Sequence, residues 1–458
     1  MSLPWIMEQP WRRRRVALVG GGFSYEFRQH LLSSAAGLGI DLIVLDKPGH
    51  WIQHHVRETG LVTEFQEVDL TVDNDLADRI VAAVKRCSLL VDGLTTFTDC
   101  FLCPTAKAAT VLKLPAMPVN ALEKSVDKAL MRNLIPIPVA PNSLANRNGR
   151  DEGELDHPLI VKPARGGGSF GVHLATTREE LQAALGSVQG FGKEPVIERY
   201  IGGPEVDVDV VLQDGRVLFV EVSDNLPTTA EGFPSPLGRP SWAETSIISP
   251  SGLPSDELKQ LGRVISSHLL DLGYSTGLIH CEARVQRSKR AYRPDSSGYP
   301  SLRDVDGAEV GDPQICLIEI NPRSPGAKAA VQSAYATGVD FQGLQLLAAC
   351  GDTERLSALA HPFSKPKEWW GSGYIAAETG GKFSPVTLFE ELQSTAPALM
   401  KYVVDWTVFF KPGDIVGDPA DTGEFLSVAW FLACTDVSRA HLESILIRVR
   451  ESVKFTIA

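Results

Sequence analysis

Two apolar segments, Gly277 to Val285 and Ile315 to Ile320, carry acids inside what are otherwise continuous hydrophobic strands, and they constrain the fold more than any other feature of the chain. Side chains two apart on a strand share a face, so His280, Glu282 and Arg284 project together, as do Leu317, Glu319 and Asn321. Carboxylates flanked by Leu317, Ile318 and Ile320 are costly to bury without a partner. If the two strands pair antiparallel, Glu282 and Glu319 converge on one site with Asn321 beside them. Two carboxylates and an amide are the hard oxygen ligands that Mg²⁺ takes, with phosphate oxygens and water completing its octahedron. The competing reading is a buried ion pair of these acids with Arg284 or Arg323.

The polar segment between the strands, Gln286 to Pro313, reads as a mobile insertion. Upstream, Arg15 to Gly20 is a strand ending in Gly20, Gly21 and Gly22, followed by a helix with Phe27, Leu31, Leu32, Ala35 and Leu38 on one face and a strand Ile40 to Leu45. This βαβ opening can receive a phosphate at the helix N-terminus. The third glycine of the dinucleotide fingerprint is absent, however, which weakens a dehydrogenase reading. A helix over Leu76, Ile80, Val81 and Val84, a strand Leu89 to Val91 and a helix Pro104 to Leu114 complete a doubly wound unit over residues 15–115. Prolines at 115, 118, 136, 138 and 141, around a helix from Ser125 to Leu134, then connect to the next unit.

That unit begins with a strand, Leu159 to Lys162, and a glycine-rich loop, Arg165 to Gly171. Lys162 ends an apolar strand, where a long cation reaches a bound phosphate, and Gly166, Gly167, Gly168 and Gly171 leave the backbone free to approach oxygens. Extended backbone from Glu198 through Arg199 and Tyr200 to Ile201 offers the N–H and C=O pattern of an adenine edge, and Glu205 can accept from ribose hydroxyls. Strands Pro195 to Arg199 and Glu205 to Leu212 place these residues in a small α+β lid, about 150–213. A loop-rich stretch follows from Ser223 to Ser255, then a helix Asp256 to Leu272. A helix with Leu344, Leu346 and Leu347 closes the central unit. The tail reads as an accessory α+β layer, with strands Gly373 to Glu378, Val403 to Phe410 and Phe425 to Leu432 and a helix Ser438 to Val453. The fold class expected is multidomain, mixed α/β and α+β.

In order and spacing these segments resemble the ATP-grasp superfamily, in particular its carboxylate-amine ligases of the L-amino-acid ligase and carnosine-synthase type. The resemblance covers residues 15 to 350 and, more loosely, the tail. Its most specific part is Ile318-Glu319-Ile320-Asn321-Pro322-Arg323, supported by Glu198 seven residues before Glu205 and by Gly277 to Glu282. It implies an arm over 1–14, a Rossmann-like domain over 15–115, an ATP-grasp domain over 116–350 and a C-terminal subdomain over 351–458. It implies further that Lys128 and Lys162, with Gly167, Gly168 and Ser169 of the loop, hold ATP phosphates, that Glu198 to Ile201 hold the adenine and that Glu205 holds the ribose. Glu282, Glu319 and Asn321 would then hold two Mg²⁺ ions, for which Mn²⁺ can substitute, and Arg323 would stabilise the transferred phosphoryl group. His280 and Glu244 are the candidates for binding the acid or the incoming amine.

The implied activity is ATP-dependent joining of a small carboxylate to an amine, with amino acids as the expected substrates. An enzyme that phosphorylates bicarbonate is the nearest rival, although no biotin-attachment or glutaminase segment is recognisable. A non-catalytic nucleotide sensor is another, and the intact set of two acids and an amide counts against it. A homodimer through the N-terminal domain or the tail is compatible with the pattern. The formal charge of −12 opposes a general affinity for nucleic acid, so Arg12 to Arg15 reads as a solvated arm. No uncharged apolar run approaches the ~20 residues needed to span a bilayer, and no signal-peptide pattern precedes the first strand, so a cytoplasmic location is expected. Seven cysteines without framework spacing read as reduced thiols. The Cys100 and Cys103 pair and the group His50, His54 and His55 lack the partners that would complete a metal site.

Overall fold

A computed structural model of the chain describes residues 13–137, 158–233, 241–296, 298–305, 311–363, 368–377, 379–418 and 427–458. Strands β1 (Arg14–Val19), β2 (Ile40–Asp46), β3 (Glu64–Glu67) and β4 (Gly93–Thr95) form a parallel sheet in the order β3-β2-β1-β4. Strand β4 lies beyond the Leu89 to Val91 run expected from sequence. At Gly93 a Cβ would stand 2.3 Å from the carbonyl oxygen of Ala349, so the strand forms where glycine lets a distant helix approach. That helix, Phe341–Ala349, joins Tyr25–Gly37 in covering one face of the sheet, while Leu76–Arg86 and Leu102–Val111 cover the other. The expected phosphate-binding turn is occupied by the protein itself: the Gly21 N–H donates to Asp46 Oδ2 at 2.6 Å. His50 is hydrogen-bonded to the Gly22 carbonyl at 2.8 Å and has a carboxylate neighbour, Asp46, at 3.4 Å.

Strands β5 (Leu159–Pro163), β6 (His173–Ala175) and β7 (Pro195–Arg199) form a small antiparallel sheet in the order β6-β5-β7. Its apolar face is closed by a helix, Arg178–Gly190, that the sequence reading left unassigned. The helix starts in a reciprocal cap between Thr177 and Glu180, a pattern visible in the sequence once sought.

The largest sheet contains β8 (Glu205–Gln213), β9 (Arg216–Asn225), β10 (Ser246–Ser249), β11 (Gly277–Gln286), β14 (Gln314–Asn321), β15 (Trp369–Ala376), β17 (Val403–Val408) and β19 (Ser427–Thr435). Their order is β14-β11-β8-β9-β10-β15-β19-β17. Three expectations change here. Strand β8, assigned from sequence to the lid, pairs with β9 and β11 in this sheet. The tail is not a separate layer, because β15 pairs with β10 and carries the sheet on to β19 and β17. The stretch from Ser223 to Ser255 is not all loop, since β10 lies within it and pairs with both β9 and β15. Glu378 and Phe425, ends of two expected tail strands, lie outside the described residues.

The insertion also differs from expectation. It folds into an antiparallel hairpin of β12 (Arg290–Pro294) and β13 (Pro300–Asp304). The hairpin is held to the C-terminal helix, Arg439–Ser452, by Arg439 Nη2 donating to the Tyr292 hydroxyl at 3.1 Å and Ser301 Oγ donating to Glu443 at 3.2 Å. A last sheet of β16 (Gly381–Thr387), β18 (Ile415–Val416) and β20 (Lys454–Ile457) has the order β18-β16-β20. No helix among the described residues is long and apolar enough to cross a membrane.

Candidate active site

A cavity of about 350 Å³ lies between the small sheet and one face of the largest sheet. Its floor is the antiparallel pair of β11 and β14, in which Glu282 stands opposite Glu319 and His280 opposite Asn321. The ladder shifts register between Glu282 and Ala283, which sets a bulge beside the two acids. His280, Glu282, Arg284 and Glu319 all line the cavity. Asn321 is buried one step along the same face, outside the lining.

The arginines expected to neutralise these acids are engaged elsewhere. Arg284 pairs with Glu205 at 2.6 Å and Glu231 at 2.8 Å, and Arg323 pairs through two nitrogens with Asp99, at 2.6 and 2.9 Å. Glu319 has Lys128 at 3.1 Å, while among the described residues Glu282 has only His280, at 4.0 Å. Burial, and then the neighbouring Glu319, pushes the Glu282 carboxyl up to about 8. The imidazole of His280 moves upward too: burial opposes its charge, but Asp209, whose carboxylate lies 2.9 Å from Nδ1, and Asp207 outweigh it. Carboxyl groups are therefore crowded at the floor, and the crowding is relieved by protons on Glu282 and His280. Among the described residues no group of three or more His, Cys, Asp or Glu side chains is placed to hold a metal alone. The set present, two carboxylates near an amide, suits an ion that takes its remaining ligands from phosphate and water.

Lysine positions follow from local structure. Asp127 caps the helix Lys128–Leu134, its carboxylate accepting the N–H groups of Ala129 and Leu130 at 3.1 Å, so the expected single helix from Ser125 breaks there. The break orients Lys128, whose Nζ donates to Glu319 and, at 2.5 Å, to the carbonyl of Gly166 in the glycine loop. Gly168 and Ser169 adopt φ of +65° and +58°, and Ser169 Oγ donates to the Trp242 carbonyl at 2.8 Å. The loop is thus drawn over the cavity and tied to residues on its far rim. Gly167, Gly168 and Ser169 line the cavity directly.

Lys162 reaches the cavity wall but is paired there with Glu198 at 2.9 Å, while Arg132 donates to the other oxygen of Glu198 at 3.2 Å. Burial would raise the Glu198 carboxyl, but Lys162 and Arg132 together hold it below the ordinary carboxylate range. Its side chain is therefore committed to the two cations. Strand β7 is an edge strand, which leaves the backbone from Glu198 to Ile201 along the cavity as the part able to meet a planar ligand. The Ile201 carbonyl already accepts from Arg284 at 3.1 Å. Glu205 lines the cavity with one oxygen held by Arg284.

Arg323 is not in the cavity lining. It lies where the N-terminal sheet meets the large one, through Asp99, which stands 3.5 Å from the Cβ position of Gly167. Sequence reasoning missed Asp99, Arg132, Glu231 and Trp242, each of which touches a residue it did name. None carries a local signal, because each partner lies at least 31 residues away in the chain. Glu244 lines the cavity within electrostatic reach of Glu282, His280 and Glu205 and makes no hydrogen bond or ion pair among the described residues. Its accessible surface opens onto cavity space, and burial within the surrounding protein, then Glu282, pushes its carboxyl up.

Comparison with known proteins decides the family. Residues 32–116 match the family described as the ATP-grasp N-terminal domain, and residues 141–229 match the D-ala D-ala ligase C-terminus. The ATP-grasp enzyme fsqD of Aspergillus fumigatus is 31% identical over all of this chain and 81% of its own length. The chain belongs to the ATP-grasp family. Human carnosine synthase 1 is 25% identical over 74% of the chain, although this ATP-grasp protein spans only 40% of that enzyme's length. The fold agrees with the family throughout: an L-amino acid ligase from Bacillus licheniformis superimposes with a TM-score of 0.72, 19% identity and coverage of 98% and 100% of the two chains. A carboxyaminoimidazole ribonucleotide synthase from Aspergillus clavatus, solved with ATP, superimposes with a TM-score of 0.65 and 14% identity over 96% and 99%. The expectations of an ATP-grasp ligase, an enzyme forming carbon–nitrogen bonds, and of a multidomain ATP-grasp fold are both borne out.

Proposed function

We propose that this ATP-grasp enzyme joins a small carboxylic acid to an amine, with amino acids among its substrates, through an acyl phosphate and with release of ADP and phosphate. The observation that carries this reading is the pairing of Glu282 with Glu319 beneath a glycine loop tethered by Lys128. The relatives named for L-amino acid ligation and carnosine synthesis support the choice of substrate class.

ATP lies in the 350 Å³ cavity, its adenine along the backbone of Glu198 to Ile201, its ribose at Glu205 and its phosphates under Gly167, Gly168 and Ser169. Lys128 and Lys162 supply positive charge to the phosphates. Glu282 and Glu319, with Asn321 beside them, would hold two Mg²⁺ ions, or Mn²⁺ in their place, which when bound neutralise the phosphate charge.

The donor carboxylate oxygen attacks the γ-phosphorus as the bond to the ADP oxygen breaks. The amine nitrogen then attacks the acyl carbon, the bond from that carbon to the phosphate oxygen breaks, phosphate leaves, and the nitrogen loses its proton. Arg323, held by Asp99 beside the loop, contributes positive charge to the phosphoryl group and the oxyanion. Closure of the glycine loop excludes water, which would otherwise hydrolyse the anhydride.

The test is to offer amino acids and small carboxylic acids singly and in pairs with Mg²⁺ and ATP, measuring ADP and phosphate and weighing the products by mass spectrometry. ADP, phosphate and a condensed amide are expected together. AMP and pyrophosphate instead would exclude the acyl phosphate.

A further inference from the structure

A second cavity, of about 400 Å³, adjoins the first through a shared wall of Leu226, Ala243, Glu244 and Tyr374. Its other walls mix apolar side chains, among them Ile447 and Val453 from the last helix and its end, Phe455 from β20 and Ile375 from β15, with the charged residues Glu451 and Lys454. Among these stands Arg450. Its Nη2 donates to the Thr245 carbonyl at 2.5 Å and to Ser246 Oγ at 2.6 Å, which ties the guanidinium to the residue next to Glu244. Its Nε is buried without a hydrogen-bond partner, and no carboxylate pairs with it among the described residues. The adjacent Glu451 accepts from the Tyr299 hydroxyl instead.

A guanidinium that faces a cavity with its Nε buried and unpartnered, and with no ion pair among the described residues, is an unfavourable arrangement for a protein to hold for stability alone. Glu244, at the shared wall, is a carboxyl group with no hydrogen bond or ion pair among the described residues. A ligand carrying both charges relieves both. An amino compound with an apolar body would set its carboxylate on Arg450 through charge-assisted hydrogen bonds and its ammonium at Glu244, where the wall opens toward the ATP cavity.

We propose that this second cavity is the subsite for the amine substrate, and that it selects an amine bearing a carboxylate and an apolar body, held by Arg450 and Glu244. The proposal rests on the ligase reading above and adds to it which substrate lies where.

The experiment uses the full chain with ATP, Mg²⁺ and the donor acid found in the substrate screen. Leucine and 6-aminohexanoate are compared with 3-methylbutylamine and hexylamine, which lack the carboxylate. The intact enzyme is expected to show a KM at least about tenfold lower for one carboxylate-bearing amine than for its counterpart, the order expected for a charge-assisted pair. Which of the two is preferred reports the spacing of the charges. Arg450→Leu should abolish that discrimination while leaving the KM for ATP unchanged, and Arg450→Lys should restore part of it. Ile447→Trp, which fills the cavity while leaving Arg450 itself in the chain, should raise the amine KM and leave the KM for ATP unchanged. Thermal melting establishes that each variant folds. Amide formation with no preference for the carboxylate, or a preference that survives Arg450→Leu in a folded enzyme, overturns the subsite and leaves the ligase intact. Absence of ADP with every acid and amine overturns the ligase reading and the subsite with it.

Discussion

Glu282 on β11 and Glu319 on β14 occupy directly opposed positions of one antiparallel ladder, and only Glu319 has a lysine, Lys128, within 3.1 Å. The imbalance leaves an acidic floor under the glycine loop. Replacing Glu319 removes a proposed metal ligand and also the tether of Lys128. Glu319→Ala is therefore expected to lower turnover on the order of a thousandfold, the scale of losing a preorganised electrostatic group. Steady-state ADP release alongside a thermal melt checks this; near-normal turnover in a folded variant would remove the metal assignment.

Metal affinity should depend on pH. The Glu282 carboxyl, raised to about 8 by burial and by Glu319, holds a proton at neutral pH that a divalent ion must displace. Mg²⁺ is accordingly expected to bind more tightly as pH rises toward about 8, with proton release on binding. Calorimetric titration in buffers of different ionisation enthalpy measures both quantities. Affinity independent of pH across the neutral range would contradict the assignment.

Glu198 is held between Lys162 and Arg132 in the interior of the small sheet's junction. Glu198→Gln leaves two buried cations uncompensated and should destabilise the protein by about 3–5 kcal/mol, with a raised KM for ATP. Because its folded-state carboxyl lies below the ordinary range, its contribution is present above the unfolded pKa and is lost as pH falls through the folded one. Denaturant unfolding of the two proteins at neutral and acidic pH should show their difference shrinking in acid.

Glu221 behaves in the opposite sense. Burial, and then Asp209, raises its carboxyl to about 7, and its Oε2 accepts no hydrogen bond among the described residues. The folded state thus binds this proton more tightly than the unfolded state, so stability declines as pH rises from the ordinary carboxylate value toward about 7. Glu221→Gln should flatten that decline and stabilise the protein above neutrality by a few kcal/mol at most. Melting temperatures of both proteins across pH 5 to 8, roughly the window set by these values, provide the comparison; a variant less stable at high pH would contradict it.

Much of the architecture is legible in the sequence because it depends on periodicity. Strands β1 and β2, the helices Tyr25–Gly37, Leu76–Arg86 and Leu102–Val111, the strands β5, β7, β8, β11 and β14, and the helix Ser255–Leu272 bury their apolar positions at regular spacing, whereas β3, the helix Ile52–Glu58 and the position of β4 do not follow from it. The same spacing puts Glu282 and Glu319 on one face of their strands, and the antiparallel pairing of β11 with β14 brings them opposite each other. Strand β10 escaped notice because its four residues sit among prolines and serines and gain a buried face only between β9 and β15. The hairpin in the insertion escaped for a similar reason: its polar composition suggests a loop until the C-terminal helix supplies Arg439 and Glu443 as partners.

The sequence by itself therefore determined the elements with regular apolar spacing, the resemblance to the family, and which residues carry acid, amide and base, since these depend on residue type and short-range spacing. Tertiary structure alone decided how the charges are apportioned. Lys162 is paired with Glu198, Arg284 with Glu205 and Glu231, and Arg323 with Asp99, while among the described residues Glu282, Glu244 and Arg450 have no ion-pair partner closer than 4.0 Å. Pairing is a matter of distances a few ångströms long between residues far apart in the chain, and electrostatic energy falls steeply over that range. No local pattern encodes it.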